Sequence, residues 1–381
     1  MLGYTPLSAS YDIVIVGAGI VGTACAMECA SGGLKVAVLE RGPVGGGATG
    51  ACMGHIVLMD DSEAQFTLTR YSRQLWHDIS AQLPDDVEYD QAGTIWVAAD
   101  DEEMAEVRRK ERFAHENGLR IEVLDGKEVT AAEPNLRRGL AGGLLVPDDA
   151  IIYPPCAARF FVEEARKHGA EVRTGDEVRE LTPEGPVMTN GTRITAGISV
   201  NACGWWAPAL TPGLPIRPRK GHLVITDRYP GFFRHELIEL GYLKSAHSVS
   251  SDSVAFNIQP RKNGQALIGS SRQFDIEHSR VEPLILNRML CRALEYMPAL
   301  AELSAIRTWT GQRPATPDRL PLIGPSIISE KLWIASGHEG LGITTALGTG
   351  RLLADMILGR PTAIPATPYA PSRFGEGISH G

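Results

Sequence analysis

Gly17, Gly19 and Gly22 stand at the spacing G-x-G-x-x-G within "YDIVIVGAGIVGTACAMECASGGLKVAVLERG", and a carboxylate, Glu40, follows about 20 residues on. These residue types at these intervals suit a dinucleotide. The first glycine allows a tight turn, the second lets backbone N–H groups approach a pyrophosphate, and the third brings a helix close to a strand. Glu40 is placed to accept hydrogen bonds from an adenosine ribose, and a carboxylate there rather than an arginine argues against a 2′-phosphate. Ile20 inside the motif and Arg41 just after the acid join the same set of candidate cofactor contacts.

The elements that must hold these residues are readable around them. Ile13 to Val16 form a β-branched run suited to a central parallel strand, Thr23 to Ser31 read as a helix stopped by Gly32-Gly33, and "KVAVLE" reads as the second strand. The following "RGPVGGGATGACMGH" gathers Gly45, Gly46, Gly47, Gly50 and Gly54 with Ala48, Thr49 and Met53. A loop so poor in large side chains lets the main chain lie against a broad flat ligand, which favours FAD over NAD. Near the other end, Gly337, Gly340 and Gly342 precede a helix expected to run to about Leu358, with Ile343 and Thr344 at its start. Its free N–H groups and positive dipole suit the pyrimidine edge of a flavin; an ordinary capped helix packed on a sheet is the plain alternative.

Arg313 lies in "WTGQRPATPDRLPLIG". Pro314 and Pro317 say only that the backbone there is extended and turned, so the stretch alone suits a loop charge paired with Asp318 as well as a group aimed at an anion. Three histidines are candidates for handling a proton: His55 after the small-residue loop, His338 in "SGHEGLG" and His222 in "PRKGH". Each equally suits a structural hydrogen-bonding place. Lys220 and Arg261 sit beside expected turns and read as solvated charges, while Cys25 and Cys29, at i,i+4 spacing, read as core.

At 381 residues, 43% hydrophobic and 22% charged, the chain is large enough for two lobes with their own cores. The net charge of −8, with no Lys/Arg block, argues against nucleic-acid binding. Six cysteines without a CxxC pair give no zinc or iron–sulfur spacing, and no metal site is expected. The absence of a basic leader and of any transmembrane-length apolar run points to a cytoplasmic protein, with peripheral attachment to the inner face of the membrane left open.

From Asp12 to about Arg360 the chain resembles the D-amino-acid oxidase superfamily of flavoproteins, in the branch of glycine and sarcosine oxidases. Beyond the glycine motif, "GAEVRTGDEV" is similar to the strand that holds adenine through backbone groups at Val172. "SVNACGWWAPAL" resembles the family's N-A-x-G-x-W strand and turn, which brings in Gly204 and Trp206, and "LWIASGHEGLGITTALGTGRLLADMI" resembles its closing glycine loop and helix. The strings "ACMGH" with "MDDS", "PRKGH" and "SGHEGLGIT" look most like the D-hydroxyproline dehydrogenases.

The resemblance implies an α/β fold in which a Rossmann-like FAD lobe (1–83, 142–212 and 318–381) is interleaved with a mixed-sheet α+β substrate lobe (84–141 and 213–317). It implies FAD-dependent oxidation of a D-amino or imino acid, cis-4-hydroxy-D-proline before others, by hydride transfer from Cα to flavin N5. Alternatives are a glycine or sarcosine type of oxidase and the FAD subunit of a dehydrogenase complex. Arg313 falls on the family's W-x-G-x-R-P-x-T-x-D arginine that binds the substrate carboxylate. Two departures carry weight: Gly311 stands where sarcosine-oxidase relatives have a flavin-bonding cysteine, implying non-covalent FAD, and Asn257 stands where glycine oxidase has a tyrosine, implying a wider pocket. The electron acceptor (oxygen, a quinone or a partner protein) and the choice between homo-oligomer and hetero-complex stay open.

Overall fold

Ile13, Val14 and Ile15 are fully buried in the middle of a six-stranded sheet, as a run of β-branched residues with no polar face requires. In the computed structural model, which describes residues 10–241 and 252–375, the strand order is Leu322–Pro325, Leu332–Ser336, Thr195–Asn201, Ser10–Val16, Val36–Glu40, Glu171–Thr174. All neighbours run parallel except Leu322–Pro325, which is antiparallel to Leu332–Ser336. The helix after the glycine motif spans Ile20–Ser31, starting three residues before the expected Thr23. It packs on the helix Gly342–Ile357 so closely that a Cβ at Gly350 would lie 2.8 Å from the Ala24 main chain.

The second sheet has eight strands in the order Ala305–Ala315, Arg217–Thr226, Ala266–Phe274, Ser253–Pro260, Glu236–Glu239, Thr94–Ala98, Gly142–Val146, Glu122–Asp125. Only Glu236–Glu239 with Thr94–Ala98 is a parallel pair, so the sheet is mixed as the sequence implies. Asn263-Gly264 turns the hairpin between Ser253–Pro260 and Ala266–Phe274, with Gly264 at φ +86°. One face is closed by the helix Pro283–Tyr296, whose Tyr296 ring stacks on Phe256 at 4.8 Å. The opposite face is left for the first lobe.

Two expectations are corrected. Gly142–Val146 pairs with Thr94–Ala98 and Glu122–Asp125, so residues 142–146 belong to the second sheet and not to the FAD lobe. The extended backbone expected at Arg313 is the edge strand Ala305–Ala315, and an edge strand tolerates Pro314. Lys220 is fully buried, with Nζ 2.7 Å from Glu282 Oε1, and Arg261 forms a two-pronged pair with Glu88. The sequence places both charges in solvent, but Lys220 lies within a strand and Arg261 just past the end of one, and each meets a carboxylate from a distant segment. No helix among the described residues is long and apolar enough to cross a membrane, and among them no cluster of His, Cys, Asp or Glu could hold a metal.

Phe256, buried and stacked on Tyr296, ties the outer helix to the second sheet. Phe256→Ala should lower the unfolding free energy by about 3–5 kcal/mol in chemical denaturation, whereas Ile306→Ala, at an exposed position, should change it by less than about 0.5 kcal/mol.

Candidate active site

The glycine motif forms a cradle that excludes side chains where the chain doubles back and is open where a ligand would lie. Gly17 has φ +108°, and a Cβ there would come 2.6 Å from the Ala202 carbonyl oxygen; a Cβ at Gly22 would come 2.0 Å from the Gly17 oxygen. Gly19 has only the Thr49 hydroxyl near it, at 3.4 Å from an added Cβ. Ile20 N–H donates to Thr49 Oγ1 at 3.0 Å, which ties Ala48, Thr49 and the short helix Ala48–Ala51 to the motif. Glu40 Oε2 accepts from Ala18 N–H at 2.8 Å and Oε1 from Gly42 N–H at 2.7 Å, fixing the carboxylate at the end of its strand.

The other candidate contacts gather at the same carboxyl ends of the parallel strands. The Arg41 guanidinium lies 4.2 Å over the Trp206 ring, and Gly47 faces that ring, 3.5 Å from an added Cβ. Gly204 turns at φ +59°, its carbonyl accepting from Ser336 Oγ. Val172 pairs with Val38 in the outermost strand, next to the strand that carries Glu40. A parallel sheet whose strand ends meet glycine turns and a helix N-terminus is where a dinucleotide binds in this architecture.

The small-residue loop then crosses the free face of the second sheet strand by strand. Ala51 accepts from Trp309 Nε1 at 3.1 Å and presses on Gly311, where a Cβ would be 2.8 Å from its methyl. Met53 packs on Gly269, Gly54 N–H donates to Gln259 Oε1 at 2.6 Å, and His55 Nδ1 reaches Glu236 Oε1 at 3.0 Å. Its carbonyl accepts from Thr344 Oγ1 at 2.9 Å, at the start of Gly342–Ile357. No side chain caps that helix, so its N-terminal dipole is left to act on a ligand. Gly337, at φ +81°, sits against Thr316, and Gly340 against Arg313, in the loop that leads into the helix at Ile343.

Arg313 lies on this same face. Its guanidinium stretches across Gly221, occupying the space a Cβ there would need, and Nη1 donates to Ser271 O at 3.1 Å. Asp318, the alternative partner, is held by Arg373 at 2.6 Å. Arg219 is the register partner of Arg313 and forms an ion pair with Glu339 in the glycine loop. Asn257 is buried in the strand Ser253–Pro260, with Oδ1 meeting no donor among the described residues.

The three histidines separate. His338 is buried, with Nε2 2.9 Å from Thr349 Oγ1, and burial drives its pKa down to about 3, so it stays neutral. His222 accepts from Glu282 N–H at Nε2 (3.0 Å) and meets Ser271 Oγ at Nδ1 (2.9 Å); burial, helped by Lys220, lowers its pKa. Both nitrogens of His222 are engaged, so that ring offers no site for a substrate proton. Only His55 keeps a buried nitrogen, Nε2, without a partner among the described residues. Sequence reasoning passed over Glu236, Gln259 and Asp149; Glu236 was signalled by an acid inside the apolar strand "ELIE".

A family model described as "DAO: FAD dependent oxidoreductase" matches residues 12–356. The chain belongs to this family. Its cradle, loop and uncapped helix fit FAD, which is its cofactor. The chain is similar to the hydrogen cyanide synthase subunit HcnC of Pseudomonas aeruginosa, 26% identical with 97% of each chain covered. It is also similar to the solved glycine oxidase of Geobacillus kaustophilus, with TM-score 0.86, 26% identity and 96% and 99% of the two chains covered. The solved L-proline dehydrogenase of P. horikoshii matches with TM-score 0.87, 26% identity and 97% and 99% coverage.

For this FAD-dependent oxidoreductase, Gly22→Ala places a methyl into the main chain of its own motif. The purified variant should be colourless, or lose its yellow flavin absorbance on dilution, while Gly33→Ala, with nothing within 4 Å, should keep it.

Proposed function

We propose that the chain oxidises a D-amino or imino acid with a free carboxylate, cis-4-hydroxy-D-proline or a close relative, using non-covalently held FAD. The observation that carries this is Arg313, seated on the sheet face across Gly221 and beside Gly340, with its guanidinium plane fixed by the bond to Ser271 O. A guanidinium carries five donors in a planar fork, a geometry that matches a carboxylate in two places. When bound, FAD supplies the two-electron acceptor for a C–N bond that becomes C=N.

The chain's own residues have three tasks: to hold the carboxylate, to keep water out, and to dispose of the substrate's ammonium proton. Arg313 serves the first. Met53, Gly269 and Leu223 line an apolar patch beside it, and Asn257 brings a buried amide oxygen with unmet capacity. An orphan acceptor in such a patch suits the hydroxyl of a hydroxylated ring, and an asparagine leaves more room than a tyrosine. Gly311 offers no atom for a covalent flavin bond. Similarity to glycine oxidase and to HcnC, named as a subunit, supports two further readings, a small acyclic amino acid as substrate and work within a complex.

Anaerobic mixing of the yellow protein with cis-4-hydroxy-D-proline, D-proline, L-proline, glycine and sarcosine should bleach the flavin fastest with the first. Bleaching by glycine alone would replace the ring substrate, and bleaching by none would sink the amino-acid reading; peroxide on readmitting air marks oxygen as the acceptor. Arg313→Ala should weaken substrate binding by about 2–5 kcal/mol, read as a raised half-saturation in the same titration. An unchanged value would remove Arg313 as the anchor.

A further inference from the structure

His55 stands at the head of a buried polar chain that the carboxylate anchor does not use. Its Nδ1 is 3.0 Å from Glu236 Oε1, a contact without hydrogen-bond alignment, and neither His55 Nε2 nor Glu236 Oε1 has a hydrogen-bond partner among the described residues. Glu236 is 1% exposed. The Thr94 hydroxyl lies 3.4 Å from Glu236 Oε2 and within reach of Asp149, which is also 1% exposed. Arg73 Nη1 then meets Asp149 Oδ1 at 2.8 Å, and the same oxygen accepts from Leu58 N–H at 3.3 Å.

Asp149, paired with Arg73, and Glu236, which meets the Thr94 hydroxyl, thus lie in one buried cluster, where two negative charges close together are costly. Burial, with the charge of Glu236 adding to it against the pull of Arg73, pushes Asp149 up to about 7. Around neutral pH Asp149 can therefore take up or give back a proton. Glu236 facing Nδ1 favours the tautomer with hydrogen on that nitrogen, which leaves the Nε2 lone pair as an acceptor.

We propose that His55 removes the ammonium proton of the substrate and that Glu236, backed by Thr94, Asp149 and Arg73, positions its ring and receives the proton in turn. The inference rests on the amino-acid reading above. The substrate N–H bond breaks, a bond from Nε2 to hydrogen forms, and the Nδ1 hydrogen passes to Glu236. Only a proton moves in this step; the nitrogen keeps its electron pair, which the forming C=N bond needs. His55 is then a catalytic residue, and Glu236 a positioning one.

The test is the anaerobic rate of flavin bleaching by the imino acid, measured with the FAD-loaded enzyme from about pH 6 to about pH 10, across the imidazole and amine ranges. His55→Asn should be slower than the wild type by roughly 10²-fold near neutrality, and should approach it at alkaline pH, where the amine is already neutral. Glu236→Gln should move the rise of the profile to higher pH with little change in half-saturation. A rate lowered by one factor at every pH in both variants would reduce the chain to a structural role and overturn the proposal. Should His55→Asn fail to retain FAD, His55→Gln and the Glu236→Gln profile decide by the same criterion. A wild-type protein that no amino or imino acid bleaches removes the substrate reading itself, whereas a bleached wild type with pH-parallel variants removes only the proton route.

Discussion

Gly54 cannot be any other residue, because an added Cβ would lie 1.8 Å from the Ile152 carbonyl oxygen, and the arrangement of both lobes depends on that close approach. Ile152 N–H donates to the Gly54 carbonyl while Gly54 N–H donates to Gln259 Oε1, so the loop is hydrogen-bonded on both edges. Its neighbours Ala51, Met53 and His55 are thereby set over consecutive strands of the second sheet. The same loop, through Thr49, closes the first N–H of the helix behind the glycine motif. One segment therefore fixes the glycine cradle and the face of the second sheet together, and small residues are required along it because both sides are occupied.

Charge is distributed around this junction with a consistent logic. Arg219 meets Glu339, Lys220 meets Glu282, and Asp149 meets Arg73, and in each pair at least one partner is buried. Such pairs add little net stability compared with apolar replacements, but breaking one strands the other charge at a cost of about 3–5 kcal/mol. They act instead as registers: Arg219 joins a second-lobe strand to the glycine loop before the flavin helix, and Glu282 joins Lys220 to the helix on the outer face. Arg313 stands opposite Arg219 in the strand pair.

What the sequence made legible is what short-range sterics and periodicity dictate. The glycine turn, its flanking strands and Glu40 follow from local rules, and the small-residue loop and the Asn263-Gly264 hairpin do as well. What it concealed depends on pairing between distant segments. Gly142–Val146 is an apolar strand that would suit either sheet, and only its partners Thr94–Ala98 and Glu122–Asp125 assign it. Lys220 reads as solvated in the sequence because Glu282 lies 62 positions away in it.

The histidines show how the same side chain is sorted by its surroundings rather than by its motif. His338 sits in the loop nearest the flavin helix, yet burial without a charge partner keeps it neutral and Thr349 engages its Nε2. His222 is spent joining Ser271 to the start of the outer helix. A proton acceptor needs an unoccupied nitrogen and a base or carboxylate behind it to absorb the charge that arrives. Glu236 meets that condition for His55 because its strand runs parallel to Thr94–Ala98, which sets the Thr94 hydroxyl beside its carboxylate. The single parallel pairing in an otherwise antiparallel sheet is thus what joins the interlobe histidine to the buried acids behind it.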